Sequence, residues 1–403
     1  MTSALPCVAE VRARFPALSQ EFSFFENAGG SQVPDCVIDA MARFFERDNV
    51  QTYAGYPASD RCDRVVLEAH AWADHLVGAE DNGRSVLGPS TSALLQSLGW
   101  AYSSVLSPGD EIVVSVANHE ANIGPWVRLE RFGAKIRWWR LDPEFGAPSL
   151  AGLEPLLGPR TKLVAMPHTS NLLGDISPVR EVCDLAHAVG ARVIVDGVAY
   201  APHLMVDVTS TKADFYALSN YKVFGPHMAV LFGRNDAWSG LEGPNHFFVP
   251  AGEIPRKFEL GCLSYEALAG FLALKEYFQF LTGAELEGRA LVRTAYRRIA
   301  ELEAPILAAI DGYLRSKSGI VVYGPAGAKV PTWGFRSSRV SAPEIATHVN
   351  RQGIGMRSGH MYAYRLCEAL GIEPDLGVAR VSAVHYNSLN DVERLTEALD
   401  GVL

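Results

Sequence analysis

Six cysteines are all that the 403 residues contain (Cys7, Cys36, Cys62, Cys183, Cys262 and Cys367), and no two of them form a CxxC pair. That scatter excludes a disulfide framework or a zinc spacing and suits reduced thiols in a reducing compartment. No apolar run approaches the ~18–20 residues of a membrane span. The first residues, MTSALPCVAEVRARFPALSQ, lack the basic start and continuous apolar core of a signal peptide. Basic clusters are missing too, and a formal charge of −9 argues against nucleic acid as a partner. There is no internal repeat, low-complexity tract or flexible linker. These absences leave the composition of a cytoplasmic enzyme, long enough to bury a large core and form more than one domain.

What is present alternates. Glu111–Ser115, Ile136–Trp139, Leu163–Met166 and Val193–Val195 are short apolar runs bounded by turn signals, as buried strands are. Helical patterns such as Ser92–Val105 and Val179–Val189 lie between them. The alternation predicts an α/β fold with a mostly parallel sheet covered on both faces. From Leu263 to Leu302 the pattern becomes long, apolar and periodic, which suits helices connecting two domains. Ile320–Tyr323, Thr332–Phe335 and Val378–Val384 then predict strands of a smaller C-terminal α+β domain.

The chemistry is concentrated between Val193 and Arg234. One apolar strand ends on Asp196, in VIVDGVAYAPH, and a second ends in Ser219-Asn220-Tyr221-Lys222, just before Gly225-Pro226. A lone Asp or Lys at a buried strand end is costly, because an unpaired charge in low dielectric shifts its pKa or destabilises the fold. A buried Asp–Lys ion pair would resolve this. So would pyridoxal 5'-phosphate (PLP), whose aldehyde takes the lysine amine as a Schiff base while its protonated ring nitrogen pairs with the aspartate.

Seven blocks in order favour the cofactor: ANHEANIGPW, PHTSNLLGDI, VDGVAYAPH, SNYKVFGPH, KFELGCLSYE, MRSGHMYA and ARVSAVHYN. In them the chain resembles the class V aminotransferase group of fold-type I PLP enzymes, and within it the cysteine desulfurase-like proteins. The resemblance runs from about Phe15 to the C-terminus. It implies a large PLP-binding domain over residues 21–264 with a mostly parallel seven-stranded sheet. Residues 1–20 and 265–403 would form the smaller domain. It also implies a homodimer with shared active sites.

Carried over residue by residue, the resemblance makes Lys222 the Schiff-base lysine and Asp196 the partner of the ring nitrogen. His119 would stack on the ring and carry protons near the substrate α-carbon. Ser90 and Thr91 open an apolar helix, where free N–H groups and the helix dipole suit a phosphate. Ser219 and Tyr221 would join them, Tyr221 replacing a histidine. Cys262 lies in a segment that reaches the phosphate of the neighbouring subunit. Arg380 would clamp the substrate α-carboxylate through two parallel hydrogen bonds. Asn171 would assist at cofactor and substrate, and Arg357 would bind a second acidic group. No metal site is expected.

Two departures bear on the reaction. Ala199 stands where desulfurases have a glutamine that bonds the PLP phenolic oxygen; His203 is close by in sequence, although a structural role suits it better. More important, RSGHMYA has Tyr362 where desulfurases carry the cysteine that accepts sulfur. A thiolate nucleophile must be exposed and of low pKa, and the nearest cysteine, Cys367, falls in an apolar helical pattern. Persulfide chemistry is therefore not expected. Several stretches (VDGVAYAPH, YKVFGPH, IRWW, NHFFV) are similar to fungal decarboxylative aldolases, which release the β-carboxylate of aspartate and join the remaining carbons to an aldehyde. A C–S β-lyase acting on a cysteine conjugate or sulfoxide, and a class V aminotransferase, are the alternatives. Tyr53-Ala54-Gly55-Tyr56, Phe247 and Phe248 would suit an apolar aldehyde or conjugate. Tyr362 is expected to act as a proton donor or orienting group.

Overall fold

The computed structural model describes residues 5–79, 81–144 and 146–403. Residues 1–4, the start of the segment expected to belong with the smaller domain, lie outside it. Thirteen strands are present among the described residues: β1 Ser23–Phe24, β2 Gly83–Gly88, β3 Glu111–Ser115, β4 Lys135–Trp139, β5 Thr161–Pro167, β6 Arg192–Asp196, β7 Phe215–Ser219, β8 Ala229–Arg234, β9 Ile320–Tyr323, β10 Thr332–Ser337, β11 Ile354–Gly355, β12 Arg357–Gly359 and β13 Val378–Ser382.

Seven of these form one sheet in the order β2-β8-β7-β6-β5-β3-β4. Only β8 runs against the rest, being antiparallel to both β2 and β7. The fold is α/β, as the alternation predicts. The central strands are apolar over their middle residues because both faces are covered, and successive residues serve opposite cores. On β6, Val193 and Val195 enter a cluster with Trp72, Val182 and Phe278, whereas Ile194 joins Leu95, Leu98 and Trp126 on the other face. Each such side chain contributes about 1.5–3 kcal/mol through removal from water.

The predicted Ser92–Val105 and Val179–Val189 helices are Thr91–Tyr102 and Val179–Ala188. The long pattern from Leu263 resolves into two helices, Tyr265–Thr282 and Gly288–Ser316. Tyr265–Thr282 and the first turns of Gly288–Ser316 pack into the same cluster as β6, and the second helix continues to Ile306, Ile310 and Leu314 in a third cluster. That third cluster lies under the four-stranded sheet β12-β13-β10-β9, which is antiparallel throughout. The N-terminal segment joins the C-terminal part of the chain. β1 pairs in parallel with β11, Glu26 bridges to Ser382, and Arg12 Nη1 donates to the Tyr386 carbonyl at 2.8 Å.

The two sheets meet where the SNLLG segment passes β10. Gly334 N donates to the Leu172 carbonyl at 3.0 Å, and a Cβ on Gly334 would lie 2.9 Å from that oxygen. A larger residue there would separate the sheets. Among the described residues no helix is long and apolar enough to cross a membrane, and no group of three or more His, Cys, Asp or Glu side chains could hold a metal ion.

Candidate active site

In a sheet whose strands run mostly one way, chemistry collects beyond their carboxyl ends. β2 leads to Ser90, β3 to His119, β5 to Thr169 and Asn171, β6 ends on Asp196, and β7 ends on Ser219 ahead of Lys222. Ser90, Thr91, His119, Asn171, Asp196, Ser219, Tyr221 and Lys222 all line one cavity whose empty volume, open mouth included, is ≈ 500 Å³. Thr169 and Ala199 also line it.

Each residue is held by local chemistry. Ser90 caps the Thr91–Tyr102 helix, its side chain accepting from Ala93 N at 3.1 Å. The Thr91 and Ser219 hydroxyls are 2.7 Å apart, tying the helix start to the end of β7. His119 Nδ1 accepts from Ala121 N at 3.0 Å, which puts the proton of the neutral ring on Nε2. Burial, then the charges of Lys222 and Arg380, push the His119 pKa down to about 3. The ring is therefore neutral at physiological pH. Tyr221 stacks at 4.9 Å on His227, a contact the sequence reading missed.

Asp196 is buried, and burial raises its pKa. Its Oδ1 accepts from Val198 N at 3.0 Å, and among the described residues no hydrogen bond reaches Oδ2. Lys222 is buried with no hydrogen-bond partner among the described residues; burial and then Arg380 push its pKa down to about 8, against the opposing pull of Asp196 and Glu26. Thr169 Oγ1 and Asn171 Oδ1 are likewise buried and unpartnered. These groups fit a ligand offering a cationic ring nitrogen, an aldehyde and further polar atoms, with the helix N-terminus ready for a phosphate. A polar lining left unsatisfied in this way is not built for protein stability.

The Lys222 shift carries a testable consequence. A lysine attacks an aldehyde only as the neutral amine, and lowering the pKa from 10.5 to about 8 makes that form a few hundred times more abundant at neutral pH. The rate at which apoprotein takes up pyridoxal 5'-phosphate should rise with pH and level off above about 8. Stopped-flow absorbance checks this, and a rate still climbing at pH 10 would contradict it.

The loop Gly359–Ala363 borders the site through the adjoining outer cavity, which Tyr362 lines. Met361 and Tyr362 both have positive φ, 51° and 60°, an unusual pair for non-glycine residues. Two bonds hold them there: Asn171 Nδ2 donates to the Met361 carbonyl at 2.7 Å, and Glu120 N to the Tyr362 carbonyl at 2.8 Å. The Tyr362 ring, 58% exposed, lies 5.1 Å from the His119 ring, and with Tyr221 they line the adjoining outer cavity. Cys367 is buried in the following helix, Tyr364–Ala369, and burial pushes its thiol up to about 11.

Arg380 lies on β13, buried, with Nη1 donating to the Asn171 carbonyl at 3.2 Å and Nε unpartnered among the described residues. Desolvation lowers its pKa to about 10. Arg357, on β12, is directly opposite Arg380 in the pairing register and more exposed. Glu26, which the sequence reading missed, faces both. The available signal was an acidic residue closing an apolar strand ahead of a glycine pair, in FFENAGG.

Some expected residues fall elsewhere. Cys262 is exposed and lines a different cavity with Pro89 and His227, so within one chain it is apart from Lys222. Tyr53 and Phe248 line a third cavity, and Phe247 is almost fully exposed. Within the chain these aromatics do not face the site. His203 bonds buried Glu303 at 3.0 Å and does not line the Lys222 cavity, which supports the structural role.

The family model described as Aminotransferase class-V matches residues 23–395. The chain belongs to the class V aminotransferases, with the fold-type I architecture, and its cofactor is pyridoxal 5'-phosphate. Over its whole length it is similar to Aminotransferase-like protein FGM3 of Gibberella zeae, 36% identical over 423 residues and covering 100% of each chain. It is 31% identical to Cysteine desulfurase-like protein ustD of Aspergillus flavus, covering 98% of this chain and 90% of the other. Among solved structures, the apo cysteine desulfurase from Thermococcus onnurineus superposes with a TM-score of 0.87 at 26% identity, covering 100% and 99% of the two chains.

Proposed function

We propose that the protein cleaves a bond at the β-carbon of an acidic α-amino acid, releasing the β-carboxylate of an aspartate-like substrate and joining the β-carbon to an aldehyde. The observation that carries this reading is the Gly359–Ala363 loop: a tyrosine stands beside His119 at the cavity mouth, and the nearest thiol in sequence is buried and protonated. A persulfide step has no nucleophile there.

When bound, the cofactor supplies an electron sink that lets bonds at the substrate α- and β-carbons break heterolytically. Lys222 would hold it covalently, and its amine would move the substrate α-proton. Asp196 would pair with its ring nitrogen. Ser90, Thr91, Ser219 and Tyr221 would hold its phosphate, with the partner's copy of the Cys262 segment beside them, which would make the working unit a homodimer. Neutral His119 would pack against it and offer its Nε2 proton. Arg380 orients the substrate through its α-carboxylate, and Asn171 pins the loop through Met361.

At the β-carbon, the bond to the carboxylate breaks, carbon dioxide leaves, and the electron pair forms a bond to the aldehyde carbon, whose oxygen takes a proton. Tyr362 is positioned to give that proton, or to quench the β-carbon when no aldehyde is present. Tyr362→Phe should therefore change the ratio of the aldol product to alanine severalfold, whereas Cys367→Ser should leave turnover intact. Product ratios by mass spectrometry decide this. A protein-bound persulfide after incubation with cysteine, lost in Cys367→Ser, would restore a desulfurase. Supplying cysteine sulfinate and a cysteine thioether alongside aspartate, and measuring carbon dioxide, sulfite and pyruvate, separates the aldolase from a C–S lyase.

A further inference from the structure

Arg357 and Arg380 are direct cross-strand neighbours on β12 and β13. Like charges in that position repel, and Arg380 is buried, so a charge without a counter-ion there would be strongly destabilising. Glu26 supplies the counter-charge to both. A single oxygen, Oε1, lies 3.5 Å from Arg357 Nη1 and 3.6 Å from Arg380 Nη2. Neither contact is a tight ion pair, and the Glu26 side chain is 37% exposed, so it is free to turn towards solvent. Its place is prepared by Gly29: a Cβ on that residue would lie 2.2 Å from Oε1.

We propose that Glu26 is a specificity-determining residue, a resident carboxylate that occupies the arginine pair in the free enzyme and that a substrate carboxylate must displace from Arg380. The inference rests on the reading of Arg380 as the carboxylate clamp and of the substrate as a dicarboxylate that loses its β-carboxylate. Its consequence is selective. A displaced Glu26 retains Arg357, which is the more exposed partner and can follow it. The pair then offers one full positive charge to the substrate, enough for the α-carboxylate, while the distal carboxylate meets a cation already compensated. A carboxylate that is to leave as neutral carbon dioxide gains from the lack of a strong counter-ion, because tight pairing would stabilise the state before cleavage. Glu26 thus lowers affinity for dicarboxylates in general and keeps the β-carboxylate unpaired.

The test is anion binding to PLP-loaded protein, independent of turnover. Maleate, a dicarboxylate without an amino group, is titrated by isothermal calorimetry and by the visible absorbance of the bound cofactor, since a new negative charge near Lys222 raises the pKa of its nitrogen. Glu26→Gln should bind maleate about tenfold or more tightly, and Gly29→Ala, which evicts the carboxylate without removing it, should move affinity in the same direction. Cofactor content and melting temperature establish that both variants are folded. Unchanged or weaker maleate binding in folded Glu26→Gln would overturn the proposal. Wild-type maleate affinity in Arg380→Ala would instead show that the clamp is misassigned, which separates the two failures.

Discussion

Lys222→Ala is expected to lose the bond that borohydride fixes between protein and cofactor, while still binding pyridoxal 5'-phosphate noncovalently through the remaining groups of the cavity. Two functions vanish together with the amine. One is covalent attachment, and the other is movement of the α-proton, a task worth roughly 10²–10⁴-fold in rate on its own. Turnover should fall by at least that much. The environment justifies the size of the effect: Lys222 is buried, without a hydrogen-bond partner among the described residues and shifted to about 8, and no other lysine is among the described residues that line the cavity. Cofactor still fixed to the variant by borohydride, found by peptide mass spectrometry, would place the linkage on another residue.

Arg380→Ala should weaken substrate binding by about 2–5 kcal/mol, the usual cost of truncating one partner of a buried, hydrogen-bonded charge pair. In affinity that is about 30- to 5,000-fold. The cofactor absorbance should barely change. Arg380→Lys should recover little, because an ammonium cannot offer the two parallel N–H groups of a guanidinium. A Michaelis constant within twofold of wild type in Arg380→Ala would remove this residue from the substrate site.

The cavity was legible because most of its residues sit at strand ends, where sequence pattern is informative. Asp196 and Lys222 announce themselves as charges terminating apolar runs, and Thr91 as a hydroxyl opening an apolar helix. Tyr362 was legible as a departure: its block matches at Arg357, Gly359, His360 and Ala363 and differs at Met361 and at Tyr362, the position that sulfur transfer requires. The order of the strands was not legible from pattern alone. Nothing in the AVLFGR run says that β8 runs antiparallel, and β1 and β11 are two residues each, too short for any periodicity to register. Glu26 escaped for a different reason. Its significance comes from Arg357 and Arg380, more than 300 residues later, and only the parallel pairing of β1 with β11 and the bridge to Ser382 bring the three together. Tyr53, Phe247 and Phe248 do not face the cavity of their own chain; a sequence shows that side chains are apolar but not which cavity they face.

The consecutive left-handed residues at Met361 and Tyr362 were equally hidden. Neither residue type favours positive φ, and such strain persists only where surroundings enforce it. Here the enforcement comes from Asn171 and Glu120, two positions on the large sheet's loops. The loop that follows β12 is thus held at Met361 and Tyr362 by loops of the large sheet, across the junction of the two sheets.

Aspartate labelled in its β-carboxylate, incubated with PLP-loaded protein and an aldehyde, tests the central claim most directly. The account predicts that the label leaves entirely as carbon dioxide, and that the other three carbons appear in a γ-hydroxy amino acid bonded to the former aldehyde carbon. Label retained in a four-carbon 2-oxo acid, with the amino group returned on adding a second oxo acid, would contradict it and make the protein a transaminase.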